Sequence, residues 1–270
     1  PHHPHCLAKD RLRLWRPLNA RNILDEHGRP INLSPEDLFI IEKLMSGAWT
    51  EATSESYGSG LLNWHVFCDQ KNIIEEHRAP APLVLITSFI ATLAGTYSGK
   101  TISNYVSAIR AWHILHGIAW NPEKAELDAA LKAADALTPP SSKRQKREPY
   151  TVEFITAIKD QLDLNSSVNA AVFACLTMAF YGVVRVGEFT VPKLKDFDPA
   201  IHVKPSNMWT ETDSNGFSTT TMFVPHTKSA PQGEDVYWAR QEGLSDPVAA
   251  WDNHVHVNAP PQEGHLFAYR

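Results

Sequence analysis

The sequence contains few cysteines, no long apolar run and no excess of positive charge. Its three cysteines, Cys6, Cys68 and Cys175, lie far apart, which excludes a disulfide framework and a paired-cysteine zinc motif and indicates a reducing compartment. No apolar run approaches the ~20 residues of a membrane span, and the opening PHHPHC is not a signal peptide. The net charge of −5 and the pI of about 6.2 exclude a nucleic-acid-binding protein whose whole surface is basic, but they are compatible with a local basic patch.

The residues that are present are typical of a folded protein with two domains. The hydrophobic share of 43% and the charged share of 20% are globular values, and 270 residues exceed one small domain. The charge is uneven, because residues 1–150 carry 17 basic and 16 acidic side chains whereas residues 151–270 carry 8 and 14. A local basic patch is therefore expected in the first part of the chain.

The first part of the chain has helical patterns after residue 33. Residues 1–33 show no sustained period and are predicted to form a flexible arm, and the histidines at its start are not expected to bind a metal. Over 34–138, capping residues and apolar faces at spacings of three and four predict an all-helical domain. In the helix predicted over 99–116, the face opposite the apolar one carries Lys100, Ser103, Ser107 and Arg110.

The segment PPSSKRQKREP interrupts these patterns and predicts a solvated basic linker over 139–150, which carries Lys143, Arg144, Lys146 and Arg147. The pattern after it is different. Residues 167–181 are apolar nearly all round, which predicts a fully buried helix. SNMWTET and STTTMFVP, joined by DSNG, predict a hairpin, and DVYWAR predicts a third strand. Residues 151–270 are therefore predicted to be an α+β domain with a small antiparallel sheet.

Arg185 follows the apolar helix, and Glu188 three residues later is in position to hold its guanidinium group. A guanidinium is costly to bury without a partner. From the residues alone two interpretations stay open: a structural salt bridge at a helix start, or an anion-binding arginine that the carboxylate keeps in place.

Lys228 lies in the turn between the second and third predicted strands. A lysine at such a place is usually only solvated, but on a mobile loop it can reach a cleft and act as a general acid. His226 is a weaker candidate for the same role. The sequence contains no Gly-rich phosphate loop, no GxSxG, no HExxH and no CxxC, so no cofactor and no metal are expected.

Taken in order, these segments resemble the tyrosine recombinase (phage integrase-like) superfamily, in particular the recombinases of eukaryotic mobile elements, over about residues 48–270. WTEATSESYGSGLLNWHVFC and TISNYVSAIRAWHILHG are similar to the family's core-binding domain. FYGVVRVGEFTVPKLKDF resembles the box with the first catalytic arginine, and FVPHTKSAPQGEDVYW resembles the catalytic-lysine hairpin. The resemblance implies catalytic roles for Arg185 and Lys228, with Glu188 supporting the arginine.

The resemblance also implies an overall fold and function. The fold would be mainly α with two domains, a SAM-like helical core-binding domain over 34–138 and an α+β catalytic domain over 151–270. The function would be breakage and rejoining of DNA strands in recombination or integration, in the nucleus, with double-stranded DNA as partner, a homo-oligomer assembled on it and no cofactor. DNA contacts are expected from eight residues: Lys100, Ser103, Ser107, Arg110, Lys143, Arg144, Lys146 and Arg147.

The sequence departs from the family pattern towards Arg270. It contains neither the family's HxxR box nor a nucleophilic tyrosine after such a box. Tyr269 precedes the place of that box and is expected to pack rather than react. The sequence therefore predicts a C-terminally truncated recombinase that is inactive alone. Two alternatives stay open, a non-catalytic DNA-binding relic and a helical protein-interaction adaptor, which the acidic second part favours.

Overall fold

The computed structural model of the chain describes residues 2–25, 27–191 and 193–269. It divides into two compact units, Pro1–Lys146 and Arg147–Arg270, and the division falls inside the segment predicted as a linker. Helices make up 49% of the chain and a three-stranded antiparallel sheet is present, so the predicted mainly α fold with an α+β part is confirmed. None of the described helices combines the length and the apolar character that crossing a membrane requires.

The first unit consists of helices joined by turns and by longer loops. Several helices begin at a polar cap. The Ser34 hydroxyl accepts from the Asp37 N–H, as the sequence predicts, and the Ser98 hydroxyl accepts from the Thr101 N–H. The described helices are α1 (Ala8–Leu14), α2 (Pro35–Ser46), α3 (Glu51–Gln70), α4 (Leu83–Leu93), α5 (Gly99–Leu115) and α6 (Lys124–Ala136), with single 3₁₀ turns at Glu75–His77 and Pro140–Ser142.

The core of the first unit lies between α3 and α5. Trp64 on α3 and Trp112 on α5 are almost completely buried, together with Phe89 on α4. Gly60 permits the close approach of these two helices, because a Cβ atom there would lie 2.9 Å from the Ala108 side chain. The indole and phenyl groups therefore fill a well-packed helical core.

The predicted flexible arm is wrong for residues 8–15. Helix α1 packs against α3, and Leu12 and Trp15 are buried in the core. The approach is close, because a Cβ atom on Gly58 would lie 1.8 Å from the Ala8 carbonyl oxygen. The helix has only 7 residues. So short an element shows too few apolar repeats for a period to be recognised.

The second unit combines helices with the predicted sheet. Its described regular elements are α7 (Val152–Lys159), α8 (Ser167–Gly182), α9 (Val186–Phe189), β1 (Met208–Thr212), β2 (Ser218–Val224), β3 (Glu234–Ala239) and α10 (Pro247–Asn258), with single 3₁₀ turns at Leu194–Asp196 and Pro205–Asn207. The strand order is β1-β2-β3, and both pairs are antiparallel. Gly216 closes the β1–β2 turn with a φ of +84°, a conformation that favours glycine.

Helix α8 packs against α10 and the sheet, with Met178 and Met222 fully buried between them. The expectation that α8 is buried on every side is wrong, because Val168 and Val172 are exposed. When a helix carries apolar residues on every face, the sequence does not indicate which face packs against another element. Here Ala170, Ala174 and Met178 are among the residues that are buried.

Candidate functional site

The second unit contains an open cleft of about 660 Å³. One wall is formed by the end of α8 and the turn after it, including Val183, Arg185 and Glu188. The other wall is formed by the β2–β3 connection and the start of β3, including Thr227 and Ser229. The cleft therefore lies where two of the motifs singled out in the sequence meet.

The end of α8 shapes the first wall. Gly182 is closely packed, since a Cβ atom there would lie 2.8 Å from Cγ1 of Val236. Val183 then adopts the left-handed conformation, with a φ of +53° and a ψ of 34°. The chain reverses at this residue, and Arg185 becomes the N-cap residue of the short helix α9.

Arg185 projects into solvent, and Glu188 holds it there. Its Nη1 donates to Oε1 of Glu188 at 2.7 Å, and the arginine side chain is 73% exposed whereas the glutamate side chain is 14% exposed. A salt bridge that stabilises a core would bury its guanidinium. The guanidinium is therefore held in position and open to an anion, and its role as an anion-binding arginine stays a prediction.

Lys228 is exposed and does not itself line the cleft. Its neighbours Thr227 and Ser229 both line the cleft. The Thr227 hydroxyl orders this loop by donating to Oε1 of Glu234 at 2.7 Å while accepting from the Ala230 N–H at 2.9 Å. Arg185, Glu188 and the loop of Lys228 are thus brought together, and the assignment of Lys228 as general acid stays a prediction.

Three other side chains of the cleft were not identified from the sequence. Tyr181 and Tyr237 line it, and so does Asp235. The Tyr181 hydroxyl is hydrogen-bonded to Oγ of Ser245 at 2.8 Å, and the Tyr237 hydroxyl donates to Oδ2 of Asp235 at 3.3 Å. Desolvation and the Asp235 carboxylate raise the pKa of Tyr237. The only signal in the sequence was their position. Tyr181 lies four residues before Arg185, and Tyr237 lies on the third predicted strand.

Tyr269 lies elsewhere in the second unit. The expectation that it packs is wrong, because its side chain is 55% exposed. It borders a separate cavity of about 320 Å³ that is also lined by Cys175 and His265. Burial raises the pKa of Cys175 to about 11, so its thiol is not a reactive nucleophile at neutral pH.

The candidate DNA-contacting residues of the first unit lie on the solvent side of α5. Lys100 and Arg110 are exposed, whereas Ser103 and Ser107 are half-buried, and the Ser107 hydroxyl donates to the Ser103 carbonyl at 2.8 Å. Arg110 borders a shallow cavity beside Trp49. The two cations of this face are available to phosphates, whereas the Ser107 hydroxyl is already bonded within the helix.

The four cations of the linker segment are all exposed: Lys143, Arg144, Lys146 and Arg147. Within the described residues no carboxylate pairs with any of them. Their positive charge is therefore not neutralised within the chain.

A cluster in the first unit resembles a metal site in composition. His3, His65 and Glu75 bring one ligand atom each within 4.8 Å of one another. The buried Arg78 guanidinium already occupies this cluster, with Nη1 3.1 Å from Oε1 of Glu75 and 3.3 Å from Nδ1 of His65. With Nδ1 accepting from Arg78, a neutral His65 ring carries its proton on Nε2, which then offers no lone pair to a metal. The cluster is an ion-pair network.

Sequence comparisons with known proteins give no match. No protein-family model matches the chain, and neither does any curated protein.

Proposed function

We propose that the chain binds double-stranded DNA as a tyrosine-recombinase-type protein, with Arg185 contacting a phosphodiester in the cleft of the second unit. The observation that carries this proposal is an exposed arginine, held by a carboxylate, in the same cleft as the loop of Lys228. The resemblance of both segments to the family's arginine and lysine motifs supports the same function. A nuclear location and assembly on DNA follow from it.

The chemistry of strand transfer requires these residue types. When a hydroxyl attacks a phosphodiester, negative charge grows on the non-bridging oxygens, and a fixed guanidinium stabilises that charge. The 5′-oxygen that leaves must receive a proton, which a lysine on an adjacent loop can deliver. In the family a tyrosine forms the covalent intermediate, so bond energy is conserved without a cofactor. Arg185 and Lys228 would perform the first two roles in this chain.

The carboxylates of the cleft limit the affinity that this unit can reach. Glu234 and Asp235 line the cleft beside Glu188, and each of the three accepts a hydrogen bond from a neighbouring side chain. They nevertheless repel phosphate. We therefore expect most of the binding free energy to come from the cations of α5 and of the linker segment, with Arg185 acting at one phosphate.

The proposal is tested by titrating a fluorescent DNA duplex with the full chain and measuring anisotropy. Arg185→Ala should weaken binding about tenfold, as expected for loss of a charged hydrogen bond. The matched control is Arg240→Ala, because Arg240 is an exposed arginine of the same unit that pairs with Asp246 and Asp252. Equal binding by wild type and Arg185→Ala would contradict the proposal.

Lys228 is tested in the same titration. Lys228→Ala should weaken binding by a smaller factor than Arg185→Ala, because a lysine is a point charge without the arginine's paired donors. Lys195→Ala is its control, since Lys195 is also an exposed lysine of the second unit. A decrease as large for Lys195→Ala as for Lys228→Ala would show only an effect of net charge.

One observation favours the adaptor as a second candidate. Helix α2 has no buried residue, and its Phe39, Ile40 and Leu44 are exposed. Exposed apolar side chains on one helix are typical of a protein-binding surface. An adaptor of this kind would leave the DNA duplex unbound in the titration.

A further inference from the structure

Val183 has a conformation and an exposure that are unusual for valine. Three non-glycine residues of the described chain have a positive φ: Asn72, Val183 and Ala259. Val183 is the β-branched residue among them, and β-branched residues rarely adopt a positive φ. Its side chain is also 89% exposed, the highest value among the large hydrophobic residues that the structure describes.

The packing of the second unit does not explain why a valine stands at position 183. Gly182 is closely packed, and a Cβ atom there would require the Val236 side chain to shift. The next residue ends α8 in the left-handed conformation, for which glycine is the favoured residue. Valine at that place strains the backbone, and its exposed isopropyl group has almost no packing that could offset the strain.

Val183 lies beside the proposed phosphate site. It lines the same cleft as Arg185. Because the two are separated by one residue, their Cα atoms are at most roughly 7 Å apart. Strained residues that lack a packing role are found at functional sites, where the surrounding structure holds them in place.

We infer that Val183 is a DNA-contacting residue whose exposed isopropyl group packs against the sugar and base edge of the nucleotide that Arg185 binds through its phosphate. This inference rests on the proposed function. Apolar side chains contact DNA through deoxyribose carbons and the thymine methyl group, and they supply a contact that does not depend on salt. The arginine would hold the phosphate and the valine would fix the position of the adjoining nucleotide.

The test compares three variants of the full chain by thermal melting and by DNA anisotropy. Val183→Gly should raise Tm by about 2–4 °C because the strain is relieved. The same variant should bind DNA about three- to tenfold more weakly because the apolar contact is lost. Val183→Ile keeps both the strain and the apolar group, so it should match the wild type in both measurements.

Ala259→Gly is the matched control. Ala259 is exposed, has a φ of +44° and ends α10, but it does not line the cleft. This variant should also raise Tm, and its DNA binding should equal that of the wild type. An increase in Tm for both glycine variants with weaker DNA binding for Val183→Gly alone supports the inference.

Salt dependence separates the valine contact from the phosphate contact. Arg185→Ala should flatten the slope of log K against log salt by about one, whereas Val183→Gly should leave the slope unchanged. If Arg185→Ala weakens binding and Val183→Gly binds like the wild type, the inference is overturned and the proposed function stands. If Arg185→Ala itself binds like the wild type, the proposed function fails and the inference fails with it.

Discussion

Arg185 and Arg78 differ in how far their guanidinium groups are exposed to solvent, and this difference separates a charge that can bind a ligand from one that stabilises the fold. The Arg78 guanidinium is buried and is bound by Asp69, Glu75 and the Ile73 carbonyl, so its charge is paired within the first unit. Arg185 has one carboxylate partner, Glu188, and an open side chain. An exposed ion pair contributes about 0–1 kcal/mol to stability, so the charge of Arg185 stays available for binding.

Arg185→Ala should therefore lower the free energy of unfolding by less than about 1 kcal/mol. Urea unfolding followed by tryptophan fluorescence measures this change, and Glu188→Gln is the companion variant that leaves the arginine unpaired. A loss of about 3–5 kcal/mol for Arg185→Ala, the value for breaking a buried pair, would identify the residue as structural.

Three tyrosines of the second unit, Tyr181, Tyr237 and Tyr269, should not form a covalent bond with DNA. Tyr181 and Tyr237 are hydrogen-bonded to Ser245 and Asp235, and Tyr269 borders a separate cavity. The raised pKa of Tyr237 further disfavours its phenolate. Incubation with a nicked suicide duplex, followed by denaturing electrophoresis, should show no shifted protein band. A band that is lost in the phenylalanine variant of any one of the three tyrosines would contradict this prediction.

At the scale of elements, the linker segment, within which the chain divides into its two units, concentrates unpaired positive charge. Its four cations are exposed, and Pro139, Pro140 and Pro149 flank them. Proline fixes φ and cannot donate a backbone hydrogen bond, which keeps such a segment out of regular helices and strands. If both units hold the same duplex, this segment adjoins the phosphate backbone.

Replacing Lys143, Arg144, Lys146 and Arg147 by alanine should therefore flatten the slope of log K against log salt by roughly 2–3, since each contacted phosphate contributes about −0.9. The loss should be similar on unrelated duplexes, because phosphate contacts carry no sequence information. DNA titrations at several salt concentrations measure the slope.

The charge-matched control replaces four exposed lysines elsewhere in the first unit, namely Lys43, Lys71, Lys124 and Lys132. We expect this variant to change the slope by less than the linker variant does. An unchanged slope in the linker variant would remove the segment from the DNA-binding surface and favour the adaptor.

At the scale of the whole molecule, the first unit carries buried histidines that link its stability to pH. Burial lowers the pKa of His113 to about 4 and that of His116 to about 4. Nε2 of His113 accepts from the Ala81 N–H at 2.9 Å, and its Nδ1 lies 2.7 Å from the Ile109 carbonyl oxygen. A proton added at Nε2 would face another donor, so the folded unit requires the neutral ring.

Acid should therefore unfold the first unit progressively. The unfolded histidines, with a pKa of 6.5, take up protons before the folded ones do. The free energy of unfolding therefore has its full value above pH 6.5, where both rings are neutral in both states. It decreases as the pH falls towards 4, by about 3 kcal/mol for each histidine. Denaturant midpoints measured across this range should decrease steadily.

His113→Leu removes one of the titrating groups. It should be less stable than the wild type at neutral pH, since the Ala81 N–H loses its acceptor, but its stability should decrease less steeply with acid. The exposed His77 provides the control, because His77→Ala should leave the profile unchanged. An equally steep decrease in His113→Leu would show that other groups cause the acid sensitivity.

The sequence by itself determined the elements that depend on neighbours along the chain. Caps such as Ser34, the spacing of apolar residues and the Gly216 turn predicted the helices and the three-stranded sheet, and the structure contains them. These signals are local, because a cap or a turn residue acts within about four positions of itself. The sequence also singled out the two motifs, but their proximity at one cleft was seen only in the structure, and their roles stay predictions.

Only the tertiary structure decided which side of an element is covered. Residues 1–33 lack a long period, yet Leu12 and Trp15 fill a site between helices that are distant in the sequence. Val172 looks like a core residue and is exposed. Gly182, which directly precedes the left-handed Val183, lies against Val236, a residue 54 positions later in the chain. Burial and strain depend on such long-range contacts, which composition and periodicity do not specify.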